Sequence, residues 1–172
     1  LAEITREARD CFGSLVPAQL NWKPSEQSWS VGQCLEHLVK TNSEMLPVID
    51  AKIGGAHNSF WENWSPLTGY FGRYLIKVMP ADERKFKAPT ARIVPPSEID
   101  ADIVDRFAEQ QSIIIEKVVQ LEALDWDRTV ITSPLMGLMT YRLNDGVEIL
   151  VEHERRHLGQ ARQVTEMAGF PS

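Results

Sequence analysis

The chain has four histidines, His37, His57, His153 and His157, and they are the first place to look for chemistry. His153 and His157 stand at i and i+4, so on a helix they lie on one face, one turn apart. Leu150, Ala161 and Val164 share that face, which turns the pair inward. Two neutral imidazoles at this spacing can share an ion. The competing reading is a pair of hydrogen-bonded core histidines, and for the pair alone the two readings stand about level.

Residues 153–157 also spell His-Glu-Arg-Arg-His, the zinc-peptidase pattern in which the central glutamate is a general base. The extended form H-E-x-x-H-x-x-G-x-x-H is not met. Gly159 comes one place early, and position 163 holds Gln163. Glu154 is therefore a candidate base that its position turns partly off the metal face. A third ligand is better sought upstream. His37 sits beside an apolar stripe with Cys34 and Thr41 on the same side, and bundles build metal sites from facing helices. Three histidines leave an open coordination position, and both zinc and nickel suit imidazole. Cys34, one turn before His37, is the one candidate for a fourth ligand. His57, in the Gly54-Gly55-Ala56-His57-Asn58 loop, reads as a solvated residue.

The elements that must position these residues are helical. Ile4, Ala8, Cys11 and Leu15 repeat at helical spacing, and Pro17 and Pro24 end that run. A second helix opens at Ser30 with Gln33 in a capping box and ends at Gly54-Gly55, with Pro47 expected to kink it. Residues 55 to 96 read as irregular, with one short helix over 70–79. Long segments of this kind often act as lids or binding elements, and Trp61, Trp64 and Tyr70 are the candidates there to wall a substrate pocket. A third helix is expected from Ser97 with Asp100 in the capping position, fading near Asp125. A strand-like or irregular piece follows over 129–140. A fourth helix runs from Asn144 or Asp145 to Gly169. The expectation is an all-α antiparallel four-helix bundle filling 1–172 as one domain.

Composition bounds the function. The 172 residues carry 18 basic and 24 acidic side chains, a net charge of −6, which argues against nucleic acid and against a polybasic membrane surface. Two cysteines are too few for a disulfide framework, so a reduced, cytoplasmic setting is the default.

At this point the sequence resembles a family. The run Trp29-Ser30-Val31-Gly32-Gln33-Cys34-Leu35-Glu36-His37-Leu38, with Pro24 just before it, looks like the entry to the second helix of the DinB/YfiT-like superfamily. His153-Glu154-Arg155-Arg156-His157-Leu158-Gly159-Gln160 looks like that superfamily's C-terminal H-x-x-x-H-x-x-Q helix. The resemblance implies a four-helix bundle with a three-histidine metal site at His37, His153 and His157. It further implies a homodimer and a small-molecule substrate. Characterised relatives include bacillithiol-dependent transferases and mycothiol-dependent isomerases, so it implies an enzyme acting with a low-molecular-weight thiol. Two alternatives stand beside that expectation. One is a metal-dependent hydrolase of small esters or amides. The other is a non-catalytic, stress-related binding protein.

Overall fold

A computed structural model describes residues 1–79 and 90–172. Among these residues seven α-helices and one two-stranded hairpin occur. Helix α1 spans Ala2–Phe12 and buries Ile4, Ala8 and Phe12. That i, i+4, i+8 row replaces the expected one, because Cys11 points outward and is exposed. Pro17 then opens the short α2 (Pro17–Asn21) at a position where its missing N–H costs nothing.

Helix α3 (Val31–Ile53) starts as its sequence dictates. Ser30 Oγ accepts from the Gln33 N–H at 3.1 Å, and the Gln33 side chain returns to the Ser30 N–H at 3.2 Å. Pro47 lies inside α3, which remains continuous around it, and Gly54 ends it. Gly32 has a packing reason. A Cβ there would come within 3.0 Å of both the Leu20 carbonyl oxygen and Ile99 Cβ.

The segment expected to be irregular contains α4 (Phe60–Trp64), α5 (Thr68–Val78) and a 3₁₀ turn over Ala91–Ile93. Its positions 80–89 lie outside the described residues. Helix α4 is capped by Ser59 and tied to α3 by Glu62, which pairs with the buried Lys52 at 2.9 Å. These contacts make the helix where proline and aromatic content alone pointed to loop.

Helix α6 spans Ile103–Leu121, not from Ser97 as expected. The reason is a side-chain clamp. Asn21 Oδ1 accepts from the Ile99 N–H at 2.8 Å, and Asn21 Nδ2 donates to the Ile99 carbonyl at 2.9 Å. With both backbone groups bonded to Asn21, Ile99 has an alternative to the helical ladder. It is buried in the core instead. Asn21→Ala leaves both groups without that partner and is expected to cost about 1–3 kcal/mol. An unchanged urea midpoint would show that the clamp does not hold this corner.

Strands β1 (Val130–Thr132) and β2 (Thr140–Arg142) pair antiparallel with Ile131 opposite Tyr141, giving form to the strand-like piece. Helix α7 (Leu143–Glu166) follows directly and ends short of Gly169, which takes φ +90° in the turn beyond. The long helices meet in pairs, α3 against α6 and α7, and α1 against α6 and α7. Their apolar stripes close a main core around Phe12, Leu35, Leu38, Phe107, Leu158 and Ala161, and a second, smaller cluster around Ile49, Leu121 and Leu143. Burying such side chains supplies the main driving force, about 1.5–3 kcal/mol for each large one. The architecture is thus predominantly helical. Among the described residues no helix is long and apolar enough to cross a membrane.

Candidate metal centre

Helix α3 carries His37 and α7 carries His153 and His157, and the packing of α3 on α7 brings the three together. Each offers one ligand atom, and these atoms all lie within 4.8 Å of one another. The ring centroids are 4.6 Å apart for His37–His157 and for His153–His157, and 5.2 Å for His37–His153.

The arrangement of nitrogens shows what the cluster can do. His37 Nδ1 sits 2.8 Å from the Ile93 carbonyl oxygen, so Nδ1 carries the proton and donates it there. Nε2 of His37 then presents a lone pair, 3.3 Å from Nε2 of His153. Two nitrogens on a tetrahedral ion with bonds of about 2.0–2.1 Å would stand about 3.3–3.4 Å apart. His157 Nδ1 is buried with no hydrogen-bond partner among the described residues. A facing pair at this spacing and an orphaned third nitrogen both fit a shared cation.

Burial keeps the rings neutral, the form a metal requires. Desolvation lowers His37, against the Ile93 hydrogen bond, which raises it. Desolvation lowers His153 to about 3, helped by the charges of His37 and Arg156. His157 falls to about 2, again by desolvation first and then through His153, His37 and Arg156.

The cluster opens on a cavity of about 810 Å³, within the range of small-molecule sites. Trp29, from the loop before α3, lies over two of the rings, 4.9 Å from His37 and stacked 5.7 Å from His157. Met45 and Tyr141 add to the wall, as do Leu135 and Met136 from the hairpin turn and Ile149 from α7. Gly146 belongs there as well, and a Cβ on it would meet Ile131 Cδ1 at 2.8 Å. Thr41 lines the cavity with a buried hydroxyl that has no partner among the described residues.

Several sequence candidates stand elsewhere. Trp61, Trp64 and Tyr70 do not line this cavity. Trp61 donates from its indole to the Leu138 carbonyl at 3.3 Å and lies beside Trp64, which is exposed. Tyr70 is exposed and borders a second, separate cleft with Arg73 and Asp145. The 55–96 segment does wall the cavity, but through Leu75, Val78 and Met79 at the end of α5 and through Ile93 and Val94. The reason is that α4 packs on β1 and α5 on β2 and α7, which places the aromatic end of the segment over the hairpin.

Glu154 does not reach the cavity either. It is fully buried, and its Oε1 accepts from Gln111 at 2.6 Å and from Asn42 at 3.0 Å. The peptidase reading of His-Glu-Arg-Arg-His therefore lacks its base. Cys34 lines the cavity but stands outside the three-histidine cluster, and burial pushes its thiol up to about 12. His57 is exposed in its loop. Sequence reasoning missed Trp29 and the Ile93 carbonyl as parts of the site. Trp29 had a signal in its place just before the Ser30 cap. Ile93 had none, since its role comes from a tertiary contact.

Fold and site together define a helical protein with a three-imidazole cluster at the edge of a largely apolar cavity. The DinB superfamily model matches residues 1–161, and the chain belongs to that superfamily. No curated protein and no solved structure matches it.

Proposed function

We propose that this protein is a metal-dependent enzyme acting with a low-molecular-weight thiol in an S-transferase-like reaction. In this reading α1, α3, α6 and α7 form the family's antiparallel four-helix bundle. The observation that carries the reading is a cluster, among the described residues, of three histidine ligand atoms within 4.8 Å of one another beside an open cavity. A structural zinc site is normally closed by four protein ligands, whereas a catalytic one keeps a position open. That weighs against the non-catalytic binding protein. Glu154, the side chain that could have assisted a hydrolase as base, is held away from the cavity by Gln111 and Asn42.

His37, His153 and His157 would hold a divalent ion, zinc or nickel, which would supply the Lewis acidity that lowers the pKa of a thiol. The chain's own residues prepare that position. The Ile93 carbonyl fixes the tautomer and orientation of His37. Trp29 covers two rings. Met45, Leu75, Met136 and Ile149 make part of the wall apolar, which favours the removal of water from that side and strengthens the electrostatics there. The substrate is a small molecule, and the working unit is a homodimer in a reduced, cytoplasmic setting.

The test is a thiol-alkylation assay on zinc- and nickel-loaded protein, with a bimane electrophile and a panel of low-molecular-weight thiols. Loading should raise the rate of thiol consumption by at least about a hundredfold over metal-free protein, the smaller end of what positioned acid–base catalysis supplies. Ester hydrolysis with no thiol consumption would overturn the reading.

A further inference from the structure

Among the described residues, five buried side-chain polar atoms have no hydrogen-bond partner. Three of them, on Gln110, Gln111 and Glu154, belong to side chains that do not line the cavity. Of the other two, His157 Nδ1 is accounted for by a shared ion. The last is the hydroxyl of Thr41, a side chain that borders the cavity and is 8% exposed. Thr41 follows His37 by four positions on α3, so the two stand on one face of the helix, one turn apart. The missing bond is not a general property of hydroxyls in these helices. Such a group ordinarily folds back to a carbonyl about one turn earlier. Thr5, Ser43, Thr68, Ser112 and Thr165, the other Ser and Thr residues of the described helices, each donate to a carbonyl three or four positions back. Thr41 does not. A buried hydroxyl left unpaired costs free energy, and a group arriving in the cavity can supply the missing bond. A hydroxyl both donates and accepts and carries no charge, so an alcohol or a carbonyl is a suitable partner.

We propose that Thr41 binds an uncharged hydrogen-bonding group, a hydroxyl or a carbonyl, of the small molecule that the cavity takes, and so selects it over an apolar analogue of the same shape. The proposal deepens the reading above and rests on it only in treating the cavity as the substrate site. The probes are phenol and toluene, which differ by a hydroxyl in place of a methyl group and carry no thiol. Each is titrated calorimetrically into the zinc-loaded full chain. Thr41→Val keeps the shape of the side chain and deletes its hydroxyl. It should move the ratio of the two dissociation constants about fivefold towards toluene, the worth of one neutral hydrogen bond. Thr41→Ser should leave that ratio close to the wild-type value. Because the hydroxyl has no partner to lose, Thr41→Val should also leave the urea midpoint of the ligand-free protein unchanged or raised. A ratio that Thr41→Val does not move, a wild type that binds neither probe, or a lowered midpoint would overturn the proposal. If the ratio moves as expected but the bimane assay shows no thiol consumption, the thiol reading fails and the role of Thr41 stands.

Discussion

His153→Ala is expected to remove bound metal and thiol-transfer activity together while leaving the helices in place. His153 faces His37 across 3.3 Å, so its loss takes one corner from a cluster that has three. Removing even an outer hydrogen-bond partner of a metal ligand costs 10–100-fold in affinity. Losing a direct ligand should therefore cost more than about 100-fold. The fold should survive, because the core is built from the stripes of Phe12, Leu35, Phe107 and Leu158 and not from the histidines. Alanine is also the best helix former, which suits the interior of α7. Far-UV circular dichroism, metal content and thiol-transfer rate should be read on one preparation. Unfolding of the variant would mean that an ion holds the structure together. A folded, metal-free variant with full activity would separate the metal from the chemistry.

Glu154→Gln is expected to stabilise the protein at pH 8 and to do little at pH 4.5. Burial raises the Glu154 carboxyl from 4.5 to about 7, although the amides of Gln111 and Asn42 pull it the other way. Its Oε2 has no partner among the described residues, and neither has Oε1 of Gln111. A proton on Oε2 turns an orphan acceptor into a donor, and a glutamine amide does the same at every pH. Between pH 4.5 and 7 the unfolded chain has released this proton while the folded one keeps it. The unfolded state then binds fewer protons, so stability falls as pH rises through that window. The full loss above pH 7 is about 3 kcal/mol, and the glutamine variant should recover much of it. Urea midpoints of both metal-free proteins at the two pH values measure the effect. An equal difference at both would show that the carboxyl titrates normally.

The parts of this molecule that were legible in its sequence are those written in local pattern. Ser30 with Gln33 announces α3, and the i, i+4 histidines announce the inward face of α7. Both rest on spacing along one helix, which a sequence displays directly. What the sequence concealed depends on contacts between distant segments. Nothing local reveals that Asn21 will clamp Ile99 and delay α6 to Ile103, because the partners are 78 positions apart. The Trp61, Trp64 and Tyr70 cluster drew attention by residue type, yet α4 and α5 pack on the hairpin and leave that end outside the cavity. Glu154 shows the same limit. Its place inside His-Glu-Arg-Arg-His pointed to catalysis, but one residue along a helix is a rotation of about 100°. That rotation carries it from the histidine face into the Gln111 and Asn42 contacts.

The central claim is that His37, His153 and His157 together hold one ion. A crystal of the zinc-loaded protein, measured at the zinc absorption edge, tests it most directly. The expected result is one anomalous peak with a nitrogen from each of the three rings at about 2.0–2.1 Å. A peak bound elsewhere on the chain, or three rings with no ion between them, would contradict it.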